Sequence, residues 1–266
     1  MAGLFQVMYG KGEGTFRPAE VLKGADGQPL IIPIKGENEM TENICTRPFA
    51  VDLDGDGKLD LVVGNFSGTF YWFRGLGKGG FEPKPELLKA GNDPLRIPGA
   101  HSDPFVIDWN GDGDLDILSG SSNGGVYLAE NIAGKGKPPV FKQFKPLIEP
   151  NHQIVDGAVL RESDLKGPTH ATRICVDDFN GDGKLDLLVG DCVTLVSPAQ
   201  GMSDAEFTKK YADWDKSFQA ALASLNSARD ATSREKATQE YQKVYGQRSA
   251  FMREERTGFV WLYLQK

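Results

Sequence analysis

Three nine-residue stretches place oxygen-bearing side chains at their first, third, fifth and ninth positions: Asp52, Asp54, Asp56 and Asp60; Asp108, Asn110, Asp112 and Asp116; Asp178, Asn180, Asp182 and Asp186. Carboxylates gathered this closely repel one another, and a hard dication held by oxygen removes that penalty. Alternate positions can wrap their oxygens round one ion, and glycine at position six permits the tight bend. The backbone carbonyl of position seven (Lys58, Asp114 or Lys184) can add a ligand before position nine closes the shell. Calcium is the natural candidate, because magnesium demands stricter octahedral geometry and keeps more water. The charge balance agrees: with the adjoining Asp114 and Asp177, the loops hold 12 of the 37 acidic residues, and three dications would move the formal charge from −7 to −1.

Two other readings of these loops exist. An EF-hand begins similarly but needs flanking helices and a glutamate at position twelve, where this chain has Val63, Ser119 and Val189, so it is rejected. A plain β-hairpin, with Asp and Asn merely favouring the turn, suits one copy better than three aligned ones.

The loops sit in an internal repeat. PFAVDLDGDGKLDLVVGNFSG from Pro48, PFVIDWNGDGDLDILSGSSNG from Pro104 and ICVDDFNGDGKLDLLVGDCV from Ile174 share one design. Each has a short β-branched run, the acidic loop, and a second run of Leu, Val and Ile ending in Gly64, Gly120 or Gly190. An aromatic strand follows each pair, from Thr69, Gly125 and Gly258, and the spacing predicts a fourth strand near Phe81 to Leu88 and near Val140 to Ile148. The amino terminus fits the same slot, since GLFQVMYGKGEGTFRP from Gly3 resembles GTFYWFRGLGKGGFEP from Gly68. Four short antiparallel strands repeated round an axis describe a propeller blade, which buries both faces only against its neighbours. The expected fold is therefore all-β, a partial β-propeller of four-stranded blades, over residues 1–200 and 256–266.

Residues 201–255 interrupt the third unit with helical periodicity. Ser203 and Glu206 form a capping box, and Phe207, Tyr211, Trp214, Phe218, Leu222 and Leu225 recur at spacings of three and four. A second helix is expected from Thr232 or Ser233, making an inserted helical hairpin whose aromatic stripe is packing rather than a cofactor box.

The remaining composition bounds the function. The 266 residues include 32 glycines and 15 prolines, as suits a turn-rich β protein, and the net charge of −7 argues against nucleic acid as a partner. No apolar run is long enough to span a bilayer, and the amino terminus lacks the pattern of a secretory signal. Cys45, Cys175 and Cys192 are too few for a disulfide scaffold; Cys175 and Cys192 could approach across the third unit or remain a free buried pair. Gly75, Gly77 and Gly80 satisfy G-x-G-x-x-G but precede Phe81, Glu82 and Pro83, so a hairpin turn is read there instead of a dinucleotide loop. His101, His152 and His170 lack zinc spacing, and no nucleophile with a base can be assembled.

The repeated D-x-[DN]-x-D-G-x-x-D-[LI] segments and the strand after each resemble the FG-GAP, or VCBS-type, repeats of integrin-like β-propellers, over about four-fifths of the chain. That resemblance implies a calcium-binding propeller, extracellular or periplasmic, with its calcium loops on one face and ligands usually met on the other. It also exposes a departure, because three loops and an amino-terminal piece fall short of a closed ring. The missing blades are expected from a longer chain, from another subunit by self-association, or from a unit that escapes recognition.

On the face opposite the loops, the segments entering the first strands carry Arg47, His101, Asp103, His170 and Arg173, and those leaving the second carry Asn65, Ser121, Ser122, Asn123 and Asp191. Arg47, Asp103 and Arg173 each stand five residues ahead of a loop's first aspartate, so repeat symmetry gathers them round one opening. Such a rim suits a sugar or a carboxylate; the bland reading is ion pairs and strand-end hydrogen bonds. The expected function is a non-catalytic recognition module for glycan or protein ligands. The alternatives are a propeller resembling the FG-GAP-containing polysaccharide lyases, with Arg47 or Arg173 neutralising a uronate, and a scaffold that interacts through the helical hairpin.

Overall fold

The computed structural model describes residues 4–33, 40–150 and 158–266; His152 lies outside them. The described chain is mostly β with two helices, and it divides into two compact units.

The first unit comprises residues 1–151, 168–191 and 259–266. It opens with an amino-terminal module in which β1 (Gln6–Val7) pairs antiparallel with β4 (Glu20–Val21), and β2 (Gly10–Gly12) with β3 (Thr15–Phe16). The first full repeat follows: β5 (Arg47–Val51), β6 (Asp60–Gly64), β7 (Phe70–Phe73), the hairpin of β8 (Gly75–Gly77) and β9 (Gly80–Phe81), and β10 (Glu86–Leu87). Its sheet runs β10-β7-β6-β5. The glycine triplet thus makes a hairpin, as the residues after it require, and the amino-terminal module repeats the third and fourth strands of this pattern with their connecting hairpin. A small pair, β11 (Lys89–Ala90) and β12 (Asp93–Pro94), leads to the second repeat of β13 (Asp103–Ile107), β14 (Asp116–Gly120), β15 (Val126–Ala129) and β16 (Lys145–Ile148), ordered as they occur. The third contains β17 (His170–Asp177) and the long β18 (Asp186–Pro198), whose Leu187–Gly190 stretch pairs with a strand near the carboxyl end, Val260–Tyr263. No sheet closes on itself among the described residues.

Strand period explains the packing. Side chains alternate between faces, and β6, β7, β14 and β15 are buried on both, so they read as continuous apolar runs. Leu61, Val63, Tyr71 and Phe73 look back onto Phe5, Leu30 and Ile32 of the amino-terminal module. Val62, Phe70 and Trp72 look forward onto Val106, Ile117 and Tyr127 of the second repeat. Leu118, Val126 and Leu128 continue the series onto Val176, Leu187 and Val189 of the third. Each fully buried side chain of this size contributes about 2 kcal/mol of transfer free energy.

A hydroxyl pins the joint between the first and second repeats, and another that between the second and third, at the end opposite the acidic loops. Ser102 Oγ accepts from Asn65 N at 2.8 Å and donates to Thr69 O at 2.8 Å. Thr172 Oγ1 does the same one repeat later, accepting from Ser121 N at 2.8 Å and donating to Gly125 O at 2.8 Å. Gly64 and Gly120 are needed there because a Cβ on either would collide with the carbonyl oxygen of Ser102 or Thr172.

The second unit comprises residues 152–167 and 192–258. Within it the outer half of β18 pairs with β19 (Met252–Thr257) from Val193↔Thr257 to Pro198↔Met252, and the carboxyl-terminal strand named above is accordingly β20. Between β18 and β19 lie α1 (Asp204–Ser227) and α2 (Ala231–Gln247). Ser203 and Glu206 form the expected capping box. The second helix starts a little earlier than the periodicity suggests, because Asp230 caps it by accepting from Ser233 N at 2.9 Å. Phe207, Trp214 and Phe218 pack on Tyr241, Val244, Phe251 and Met252, and Trp214 Nε1 donates to Val244 O at 2.7 Å. The stripe is a core, as read. Among the described residues no disulfide joins the three cysteines, and Cys175 and Cys45 are exposed, so Cys175 and Cys192 are not a buried pair.

Candidate metal centre

The three acidic loops share one internal hydrogen-bond pattern, which follows from their common spacing. The first aspartate accepts the N–H at position six, from Gly57, Gly113 or Gly183, at 2.8 to 2.9 Å. Those glycines lie at φ between +83° and +92°, a left-handed bend that other residues rarely adopt. Position three accepts from the N–H of position five, and position five from that of position seven, so Asp54, Asn110 and Asn180 and then Asp56, Asp112 and Asp182 turn their oxygens inward.

The ninth aspartates do something the spacing alone did not reveal. Asp60, Asp116 and Asp186 are buried to 1% exposure or less, and each accepts one N–H from its own loop and one from the second residue beyond the third strand. The pairs are Leu53 and Gly75 for Asp60, Trp109 and Asn131 for Asp116, and Phe179 and Gln265 for Asp186, all between 2.6 and 3.1 Å. Burial pushes the Asp60 carboxyl up, against the pull of its two N–H donors. The same desolvation lifts Asp116 to about 6. Carboxylates so placed are held in a state that a nearby cation would relieve.

The first loop meets the chemical requirement for a metal most directly. Carboxylate oxygens of Asp52, Asp54 and Asp60 lie within 4.8 Å of one another. Asp52 Oδ1 is buried and has no hydrogen-bond partner among the described residues. An unpartnered buried carboxylate oxygen beside two further carboxylates is costly unless a cation meets it, so these residues fit a bound dication. Lys58 Nζ, 2.8 Å from Asp56 Oδ2, and Arg74 Nη1, 3.0 Å from Asp54 Oδ2, offset part of the charge. Arg74 also bonds Glu86 Oε1 at 2.8 Å and covers the Trp72 ring at 3.9 Å. Its role was not readable from the loop, since it arrives from a residue 20 positions later. In the second and third loops the first aspartate gives one oxygen to two N–H groups and the other to the position-six glycine, and the asparagine amide donates to position five. A cleft of about 180 Å³ runs between the first and second loops, lined by Asp52, Asp54, Asp114, Asn131, Lys135 and Lys137. Asp114 Oδ2 accepts from Gly134 N there, which uses its side chain and leaves its carbonyl for the role assigned by position seven.

At the strand ends opposite the loops, repeat symmetry gathers the residues named above only in part. Asp103 stands between two arginines, with Oδ1 3.8 Å from Arg47 Nε and Oδ2 3.1 Å from Arg173 Nε. Arg47 Nη1 donates to Ser102 O and Arg173 Nη1 to Thr172 O, both at 3.2 Å. Burial, and then Arg173, lowers the Arg47 pKa; burial also raises that of Asp103 despite its two partners. His101 packs edge-on against Phe66 at 4.4 Å, and desolvation followed by the two arginine charges depresses its pKa. His170 is exposed at the start of β17. Asn65 and Asp191 are both engaged by backbone N–H groups: Asn65 Oδ1 accepts from Thr69 N at 3.2 Å within its own turn, and Asp191, inside β18, accepts from Phe259 N and Thr169 N of other segments at 2.8 Å each.

Successive antiparallel β units, each carrying an oxygen-rich turn between its first two strands, define a class of tandem-repeat protein. The chain belongs to the FG-GAP-like repeat family, whose model matches residues 52–119 and 108–189, together more than half of its length. No curated protein is similar enough to match it. Among the described residues, no helix is long and apolar enough to cross a membrane.

Proposed function

We propose that the chain is a calcium-stabilised segment of a β-propeller that serves as a recognition module for glycan or protein ligands. One observation supports the metal assignment: Asp52, Asp54 and Asp60 converge round a buried Asp52 oxygen that has no donor among the described residues. Asp52, Asp54, Asp56 and Asp60, with the Lys58 carbonyl, would hold the first ion. Asp108, Asn110, Asp112, Asp116 and the Asp114 carbonyl, and Asp178, Asn180, Asp182, Asp186 and the Lys184 carbonyl, would hold two more. Bound calcium supplies charge neutralisation and a fixed turn geometry. Residues 1–200 and 256–266 form the propeller part in this reading, and 201–255 the inserted hairpin.

The ligand face in this reading is the rim of Arg47, Asp103 and Arg173 with His101 beside it. Two guanidiniums share one carboxylate, so the rim keeps a net positive charge suited to an acidic sugar or a carboxylate-bearing peptide. Extracellular calcium modules bind with dissociation constants of about 10⁻⁴ to 10⁻³ M, which fits surface loops whose first aspartates are only partly buried and an extracellular or periplasmic setting. The test is a glycan array and a peptide array probed with wild type and Arg47→Gln/Arg173→Gln in calcium, beside a uronide-cleavage absorbance assay. Binding of acidic ligands lost in the variant supports the module. Product formation would replace it with a lyase, and silence in every assay would remove the ligand role from this rim.

A further inference from the structure

The joints between repeats have one recurring chemistry, and the third repeat presents half of it to solvent. Gly64↔Phe70, Gly120↔Val126 and Gly190↔Val260 are equivalent pairs, which sets the repeats in register. In the first two, the forward-facing pair of the third strand is Phe70 with Trp72 and Val126 with Leu128, none more than 2% exposed. In the third repeat the same places are held by Val260, 69% exposed, and Leu262, 52% exposed. Among the described residues no atom lies within 4 Å of the position a Gly190 Cβ would take, where Gly64 and Gly120 meet the next repeat. The hydroxyl that bridges Asn65 N to Thr69 O has no counterpart there among the described residues, and Asp191 N bonds Phe259 O directly at 3.0 Å.

The complementary half lies at the other end of the same unit. Phe73 and Phe81 flank the first repeat's glycine hairpin and pack backward onto Phe5, Leu30 and Ile32. The amino-terminal module has the same hairpin at Gly10 and Gly12, and its equivalent residues are Met8, 55% exposed, and Phe16, 58% exposed. Exposed apolar faces of this kind mark interaction sites.

We infer that the forward face of the third repeat, at Val260 and Leu262, docks the backward face of the amino-terminal module, at Met8 and Phe16, of a second copy of this chain. The contact continues the joint already made twice within the unit, with aromatic and aliphatic side chains on both sides. It is head-to-tail, so each copy offers one face of each kind, and closed assembly requires that the rotation close.

The experiment is sedimentation velocity on the full chain in millimolar calcium, from micromolar concentration upward. Wild type is expected at a mass above one chain. Leu262→Lys and Phe16→Lys each destroy a different face, so each alone is expected at one-chain mass, and their equimolar mixture is expected to recover a two-chain species through the one intact joint. Circular dichroism melts in calcium check that both variants fold; Val260→Lys and Met8→Lys replace either one that does not. Wild type at one-chain mass throughout overturns the inference, as does a variant that self-associates like wild type or a mixture that stays monomeric. Those outcomes leave the calcium reading untouched, since that is scored by metal-dependent melting.

Discussion

Asp60 reaches across its sheet to Gly75, accepting the backbone N–H at 2.6 Å while its other oxygen takes Leu53 N at 3.0 Å. One carboxylate therefore ties the acidic loop to the end of the third strand, and Asp116 with Asn131 and Asp186 with Gln265 repeat the tie. This couples the geometry of each loop to the packing of its sheet, so the calcium proposed above would change stability as it binds or leaves.

Asp60→Asn removes an acceptor and turns an amide N–H toward a backbone N–H. Leaving a buried donor unsatisfied costs about 1–3 kcal/mol. The expected outcome is a lower melting temperature even in EGTA, with a further loss of calcium-dependent stabilisation; urea denaturation in both buffers checks it. Equal stability with and without the side chain would show that the tie contributes nothing.

In the proposed calcium site, Arg74 would compete with the ion for Asp54. Arg74→Gln is expected to tighten calcium binding at the first loop several-fold, because the guanidinium 3.0 Å from Asp54 Oδ2 no longer opposes the ion. The half-exposed pair contributes about 1 kcal/mol at most to the metal-free protein, so its melting temperature in EGTA falls only slightly. Calorimetric titration reads the first effect, and unchanged affinity would count against calcium sitting beside Asp54.

His101 tests the charged rim through pH. Burial and the Arg47 and Arg173 charges hold its pKa below the ordinary value of about 6.5. The folded state therefore binds this proton less readily than the unfolded one. Stability from the neutral form is full above pH 6.5 and declines as the pH falls through that value toward the folded pKa. Wild type is expected to lose more stability than His101→Asn between pH 7 and pH 5.5, asparagine being tolerated at φ +61°. Arg47→Gln is expected to raise the histidine's NMR titration midpoint. A midpoint that stays put would separate His101 from the rim.

Gly64→Ala and Gly120→Ala place a Cβ against the Ser102 and Thr172 carbonyls, whereas Gly190→Ala meets no atom within 4 Å. Overpacking of this kind costs about 1–3 kcal/mol or more. The first two are expected to be destabilised by that amount and the third to stay near wild type in thermal melts; equal losses in all three would contradict the register of the joints.

Much of the fold was legible because its signals are local. The glycine hairpins at Gly10 and Gly75, the acidic turns, and the Ser203 and Glu206 box each declare a turn or cap within a few residues. The site was legible only to the same depth. Asp52, Asp54 and Asp60 are neighbours in sequence, so their convergence could be read, but Arg74 enters from the third strand and Ser102 reaches Asn65 across 37 residues. Spacing does not encode such contacts. The same limit explains the cysteines: Cys175 stands where Phe49 and Phe105 face the following repeat, and in the third repeat that place is open to solvent. Asn65 and Asp191 follow the glycines that end the repeated Leu, Val and Ile runs; Asn65 is engaged within its own turn, whereas Asp191 lies inside β18 and takes backbone N–H groups from 22 and 68 residues away.

The most direct measurement is calcium stoichiometry by equilibrium dialysis on metal-stripped protein, paired with melts in millimolar calcium and in EGTA. Three ions per chain are expected, falling to two in Asp52→Ala/Asp54→Ala, with a large melting loss in EGTA. Protein that retains no calcium and melts at the same temperature in both buffers would contradict the account.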